Sequence, residues 1–342
     1  MGNECGNADA LILDNYIPAD GDYIVVKKDG SVVRCSIKMD KKAGRPVKDL
    51  SDGDSQYEDI VFYDYHSRLV SMDKPQDPKK VIHSNNYLSF WIKKESLTNG
   101  KLNMEGIDRY FDILSNPRVK YKNAKDSKMY DYIFPVVGEV NQEKLEQCRN
   151  WIKQHIFNMQ DFGIDISGKN YLKVFFEDDR DLYINEEKRY LMTKIYNKND
   201  YNIDIDEQIY GLPNDNLALN SKKPYMEHKT RKNVVPYLIT PEEAATQRKF
   251  FDYLMNEANR GYTNIFFDSD EDEIIPKKPG EFITDDFSGF FIQIQKGKEL
   301  SIQHQDAIVD YKYNLYKHFQ YRDVIGSAKD EEIFKEYVNK KQ

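Results

Sequence analysis

Apolar and polar positions alternate along the chain in a way that separates short strand-like runs from helical stretches. YIVV at Tyr23 to Val26 and SVVRCSI at Ser31 to Ile37 flank Lys27-Lys28-Asp29-Gly30, and the Asp-Gly pair predicts a tight hairpin turn. Met39 to Asp54 carries few apolar anchors and is expected to be a long surface loop. Tyr87 to Ile92 is an unbroken apolar and aromatic run, which fits a buried strand and the start of an apolar helix equally well. Met104, Ile107, Phe111 and Leu114 recur at helical spacing before Asn116-Pro117. A second helix is expected from about Gln142 to Phe157, with Leu145, Cys148, Trp151, Ile152 and Ile156 on one face.

Glycines at Gly163 and Gly168 interrupt the pattern and suggest a boundary between two lobes. YLKVFF at Tyr171 to Phe176 reads as a strand, and Arg189 to Tyr196 as another. Thr240-Pro241-Glu242-Glu243 has the residue types of a capping box, and it opens a helix that runs to Gly261. Strands are expected at Asn264 to Phe267 and at Gly289 to Gln295, followed by a polar terminal helix over residues 328–342. The expected architecture is α+β, with mixed helices and mainly antiparallel strands. Its two lobes cover residues 1–165 and 166–327.

Composition narrows the function. The 342 residues carry a formal charge of -8, so an indiscriminate nucleic-acid coat is disfavoured and any such contact must be local. Cys5, Cys35 and Cys148 lie far apart, which suits a reducing, cytoplasmic setting better than a disulfide framework or a zinc site. No secretion signal, membrane span or myristoylation pattern is visible, because Gly6 stands where the last would need Ser or Thr.

Against this acidic background stands GLPNDNLALNSKKPYMEHKTRKNVVPYL, from Gly211 to Leu238. Between Lys222 and Lys232, the bases Lys222, Lys223, Lys229, Arg231 and Lys232 oppose only Glu227. These five are the candidate phosphate contacts, and the helix start that follows would add to an anion-attracting field. Asn214, Asn216 and Asn220 are candidate base or groove contacts, because an amide presents donor and acceptor together. Asn85, Asn86 and Tyr87 form a second candidate set. Turn formation and helix capping are the structural alternatives for these amides. A further basic set, Lys38, Lys41, Lys42, Arg45 and Lys48, is weaker.

Catalysis and metal binding find less support. The acidic run Asp268 to Glu273 fails as a calcium loop, with Glu273 where Gly is needed and Pro279 where Glu is needed. Asp178, Asp179 and Asp181 could serve a metal-dependent nuclease, but no histidine or lysine stands beside them in a catalytic motif. Neither a nucleophile motif nor a phosphate-binding glycine loop is present, so no catalytic residue, metal or cofactor is assigned.

Several blocks taken together resemble the large subunit of type I-B CRISPR interference (Cascade) complexes. They are IPADGDYIVV, SMDKPQDPKKVIHSNNYLSFWIKKESL, GIDRYFDIL, NWIKQHIF, IYGLPNDNLALNSKKPYMEHKTRKNVVPYLIT and KFFDYLMN, spread from about Leu11 to Asp323. The resemblance implies a non-catalytic, cytoplasmic subunit of a crRNA-guided antiviral surveillance complex. Such a subunit sits near the crRNA 5′ handle, helps find the protospacer-adjacent motif (PAM) in double-stranded DNA, stabilises the opened strands and docks a helicase-nuclease. Its partners would be crRNA, target DNA and the other complex subunits, with no membrane. Family members usually carry an extra helical segment ahead of Leu11 and a further helical region beyond this C-terminus. A structural subunit that grips crRNA without touching target DNA is the alternative.

Overall fold

The computed structural model describes residues 11–40, 45–50, 55–68, 75–196, 199–213, 238–297 and 300–312. Strands β1 (Gly21–Val26) and β2 (Val32–Asp40) form the expected antiparallel hairpin. Asp29 holds its turn by accepting the Ser31 N–H at 2.8 Å, and Gly30 supplies the left-handed φ of 85°. The expected loop after β2 instead contains β3 (Arg45–Lys48), which pairs with Ile37 to Asp40. Too few apolar anchors made it look irregular, but an edge strand needs a partner more than it needs a hydrophobic pattern.

β4 (Ser89–Lys93) and β5 (Tyr171–Phe176) complete a five-stranded sheet in the order β3-β2-β1-β5-β4. β5 runs parallel to β1 and antiparallel to β4. A parallel pair needs a long crossover, and the helices between residues 27 and 170 provide it. Both faces of β4 are buried, which is why its aromatic run shows no alternation.

This topology corrects the expected lobe boundary. A strand from beyond residue 165 lies between two strands from before it, so residues 1–165 do not close on themselves. The compact units of the described residues divide elsewhere, at Gly261 and Tyr262: one holds those up to 261 with 296, 297 and 300, the other 262–295 with 301–312.

The longer helices of the first unit are α1 (Ser55–His66), α2 (Met104–Ser115), α3 (Ala124–Val137), α4 (Gln142–His155), α5 (Arg180–Leu191) and α6 (Pro241–Arg260). Asn103, Asn123 and Asn141 cap α2, α3 and α4 by accepting the backbone N–H three residues on. Each such cap stabilises its helix by about 1 kcal/mol. The buried sides of α2 and α4 carry Ile107, Phe111 and Leu114, and Leu145, Cys148 and Ile152.

Arg189 to Tyr196 is not a strand. Arg189 belongs to α5, and Met192–Lys194 form a 3-10 turn. Buried Tyr183, Glu186, Glu187 and Tyr190 keep helical spacing through this stretch. Arg189, 1 % exposed, pairs with Glu186 at 2.9 Å and donates to the carbonyls of Val137 and Gly138 at the end of α3. The apolar residues around it therefore face a helix packing site, and packing overrides their strand propensity.

The second unit is built on four strands, β8 (Asn264–Asp268), β9 (Glu273–Lys277), β10 (Phe287–Lys296) and β11 (Leu300–Tyr311), while β6 (Ile203–Ile205) and β7 (Gln208–Tyr210) form a small hairpin in the first. The sheet order is β11-β10-β8-β9, and the register pairs Phe266 with Phe291 and Phe267 with Phe290. Gly289 lies so near β8 that a Cβ would fall 1.9 Å from the Phe267 carbonyl oxygen. Both sheets are mostly antiparallel and the chain is α+β. The expected terminal helix over residues 328–342 lies outside the described residues.

Candidate nucleic-acid interface

The two ends of the basic segment meet. Gly211 N–H donates to the Ile239 carbonyl at 3.0 Å, and Ile239 N–H returns a bond to the Gly211 carbonyl at 3.1 Å. Such a mutual exchange is the hydrogen-bonded pair of an antiparallel ladder. A second bridge joins Pro213 to Tyr196, whose hydroxyl donates to the Ile239 carbonyl at 2.8 Å. Gly211 is required by this crossing, since a Cβ would stand 2.5 Å from the Tyr196 ring and 2.6 Å from Asn202 Oδ1. The two ends of the basic segment, Gly211 and Ile239, are thus joined at one point of the first unit.

All eight expected contacts of this segment, Asn214, Asn216, Asn220, Lys222, Lys223, Lys229, Arg231 and Lys232, lie outside the described residues. Their mount is described. Immediately after the return, Thr240 accepts the Glu243 N–H through Oγ1 at 3.3 Å, and Glu243 accepts the Thr240 N–H at 2.9 Å, a reciprocal capping box. The same geometry corrects the expected anion-attracting field. Glu242 and Glu243 occupy the first turn of α6, so this helix N-terminus already faces its own carboxylates.

Behind the cap, α6 is anchored by a buried charge network. Arg248 pairs with Glu187 Oε1 at 3.1 Å, and His66 Nδ1 lies 2.6 Å from Glu187 Oε2. Burial by itself pushes the Glu187 carboxyl up, but His66 and Arg248 outweigh it and hold the group at about 2. Arg68 pairs with Asp252 at 3.2 Å, and the Tyr65 hydroxyl donates to the same carboxylate. Beside this network, Lys173 of β5 pairs with Asp64 of α1, which also accepts from the Tyr16 hydroxyl at 2.6 Å. Burial lowers the Lys173 ammonium below its ordinary value, and Asp64 offsets part of that effect. These groups were not singled out from the sequence. The only hint was charged residues at core spacing, such as Glu186 and Glu187 between Tyr183 and Tyr190.

The second candidate set is corrected. Asn85, Asn86 and Tyr87 are 3 %, 0 % and 0 % exposed, which takes their side chains out of reach of a base edge. Asn85 Oδ1 accepts the Gln76 N–H, and Asn86 Oδ1 accepts the Leu88 N–H. Both amides shape the entry into β4. In the weaker basic set, Lys38 is exposed and Lys48 lies 3.1 Å above the Tyr57 ring, while Lys41 and Lys42 lie outside the described residues.

Of the three aspartates considered for a nuclease, Asp178 and Asp179 are engaged by cations. Asp178 pairs with Lys144 and lies 3.9 Å from Lys28, and Asp179 pairs with Lys28 at 3.1 Å. Among the described residues, no group of three His, Cys, Asp or Glu side chains is arranged to hold a metal ion. Asp268, in the rejected calcium loop, instead turns the chain by accepting the N–H groups of Asp270 and Glu271. No described helix is long and apolar enough to cross a membrane.

No protein-family model, curated protein or solved structure matches the chain, so the family resemblance rests on the sequence blocks themselves.

Proposed function

We propose that the protein is a non-catalytic large subunit of a crRNA-guided surveillance complex, and that it meets nucleic acid through the segment between Gly211 and Ile239. The observation that carries this reading is the closed crossing at Gly211 and Ile239. It joins the two ends of a segment whose five bases are opposed only by Asp215 and Glu227, in an otherwise acidic chain. Lys222, Lys223, Lys229, Arg231 and Lys232 supply phosphate contacts, which fix register without reading sequence. Asn214, Asn216 and Asn220 supply contacts to base edges or a groove. Within the complex, the subunit contributes to PAM recognition, holds the opened target strands and docks the helicase-nuclease, as the resemblance implies.

The test replaces Lys229, Arg231 and Lys232 with Ala and measures binding to target duplex and to crRNA over a salt series, for the full chain alone and in its complex. Each phosphate contact contributes roughly 0.9 to the slope of log affinity against log salt on duplex DNA, so the slope should fall by about 2 to 3. Loss on crRNA with duplex binding intact would favour the structural crRNA-gripping subunit. An unchanged slope on both refutes the phosphate role.

A further inference from the structure

The second unit carries an apolar groove on one face of its sheet. Register places Phe266 and Phe291 on the same face, with ring centroids 4.7 Å apart, and Phe287 meets Phe266 edge-on at 5.6 Å. The connection through Gly280 to Ile283 forms one wall, and Ile308 and Tyr311 of β11 form the other, around a cavity of about 290 Å³. Phe282 stands at this wall 77 % exposed, and Tyr311 is 39 % exposed. Exposed rings gathered at a concave apolar surface are the usual sign of a contact site.

Charge decides what the groove can receive. Residues 262–295 and 301–312 hold ten acids, Asp268, Asp270 to Glu273, Glu281, Asp285, Asp286, Asp306 and Asp310, against only Lys277, Lys278 and Lys312. Lys312 is itself paired with Asp286 at 3.2 Å and Asp310 at 3.0 Å. Glu281 lines the groove, and Asp285 and Asp286 lie between its lining residues Ile283 and Phe287. Phosphate would be repelled from this surface, and a second copy would bring the same negative field.

We infer that this groove docks a protein partner through a basic segment carrying an aromatic or aliphatic anchor. The anchor fills the space between Phe282, Phe287 and Phe291, and flanking Lys or Arg side chains meet Glu281, Asp285 and Asp286. Phenylalanine faces add a cation–π attraction for the same bases. The groove uses none of the residues of the basic segment, so the inference stands or falls independently of the nucleic-acid reading.

The experiment uses the full chain and labelled probes followed by fluorescence anisotropy: a Lys-rich peptide with a central Phe, the same peptide with Glu in place of Lys, and single-stranded oligothymidine. The Lys-rich peptide should bind with an affinity that falls as salt rises, and Phe282→Ser should weaken it roughly tenfold, the scale of losing one anchor side chain. Glu281→Gln with Asp286→Asn should flatten the salt dependence. Phe282 is exposed, and circular dichroism verifies that its variant stays folded. Equal binding of the Glu peptide, preference for oligothymidine, or self-association abolished by Phe282→Ser would each overturn the inference. So would tighter binding of a peptide made from residues 313–322, which would hand the groove to the chain's own continuation.

Discussion

Replacing Glu187 with Gln should loosen α6 from the rest of the first unit. Glu187 is 7 % exposed and is shared by Arg248 and His66 at 3.1 and 2.6 Å. Its removal leaves the buried Arg248 guanidinium with Asp252 alone, at 3.5 Å, and takes away the closer of its two carboxylates, a change that costs about 3–5 kcal/mol at most. For a domain of this size, 1 kcal/mol moves the melting temperature by roughly 2–4 °C, so a drop of about 6–20 °C is expected. Thermal and urea unfolding followed by circular dichroism measure it, and Glu187→Met, Arg248→Met and their combination form a double-mutant cycle. The double variant should recover part of the loss, because an apolar pair leaves no orphaned charge. The acid side gives an independent check. The Glu187 carboxyl is held at about 2 against an ordinary 4.5, so its stabilisation is present above pH 4.5 and is lost as pH falls through 2. That gap converts to about 3 kcal/mol at neutral pH, and the difference between wild type and Glu187→Gln should shrink across this window. Additive single variants, with coupling below about 0.5 kcal/mol, would refute the argument.

Two glycines give sharper geometric tests. Gly211→Ala puts a methyl group 2.5 Å from the Tyr196 ring, so the exchange between Gly211 and Ile239 should open; faster amide hydrogen exchange at Ile239 with the core amides of β1 and β5 unchanged is the expected signature, and an unchanged Ile239 rate contradicts it. Gly289→Ala drives a methyl group into the Phe267 carbonyl across the β8–β10 ladder, where backbone cannot yield cheaply; amide protection in these strands should fall, and wild-type protection would show that the pairing tolerates a Cβ.

What could be read from the sequence was local chemistry. The Asp29-Gly30 turn, the Thr240 to Glu243 box and the helical spacing of Met104 to Leu114 each need only a few neighbouring residues, and each forms where the sequence places it. The lobe boundary was misplaced because it depends on Tyr171–Phe176 lying beside Gly21–Val26, a pairing that no short window contains. For Asn85 and Asn86, composition alone leaves a groove contact and a turn or cap both open, and their bonds to the Gln76 and Leu88 N–H groups decide for the structural alternative. The charge network around Glu187 was hidden for a related reason. His66, Glu187 and Arg248 come from three helices, and their separation in sequence conceals that burial makes them partners.

The distribution of charge gives the proposed function a physical logic. The chain is net negative, and the described part of the second unit holds ten acids against three lysines, so most of its surface repels nucleic acid. On the proposed reading, attraction is concentrated between Gly211 and Ile239, where both ends of the excursion are tied to one crossing and the returning strand passes directly into a capped helix. Elsewhere the net negative charge opposes a polyanion. Affinity for lone DNA would be modest and register would be tight, which suits a subunit that gains most of its grip from its neighbours in a complex. The buried pair of Arg248 and Glu187 belongs to the same logic. It holds the helix behind the crossing against α5, so a force on the basic segment is carried into the core. Weakening that pair should therefore blunt nucleic-acid binding in proportion to the loss of α6 order, even though neither side chain lies in the basic segment.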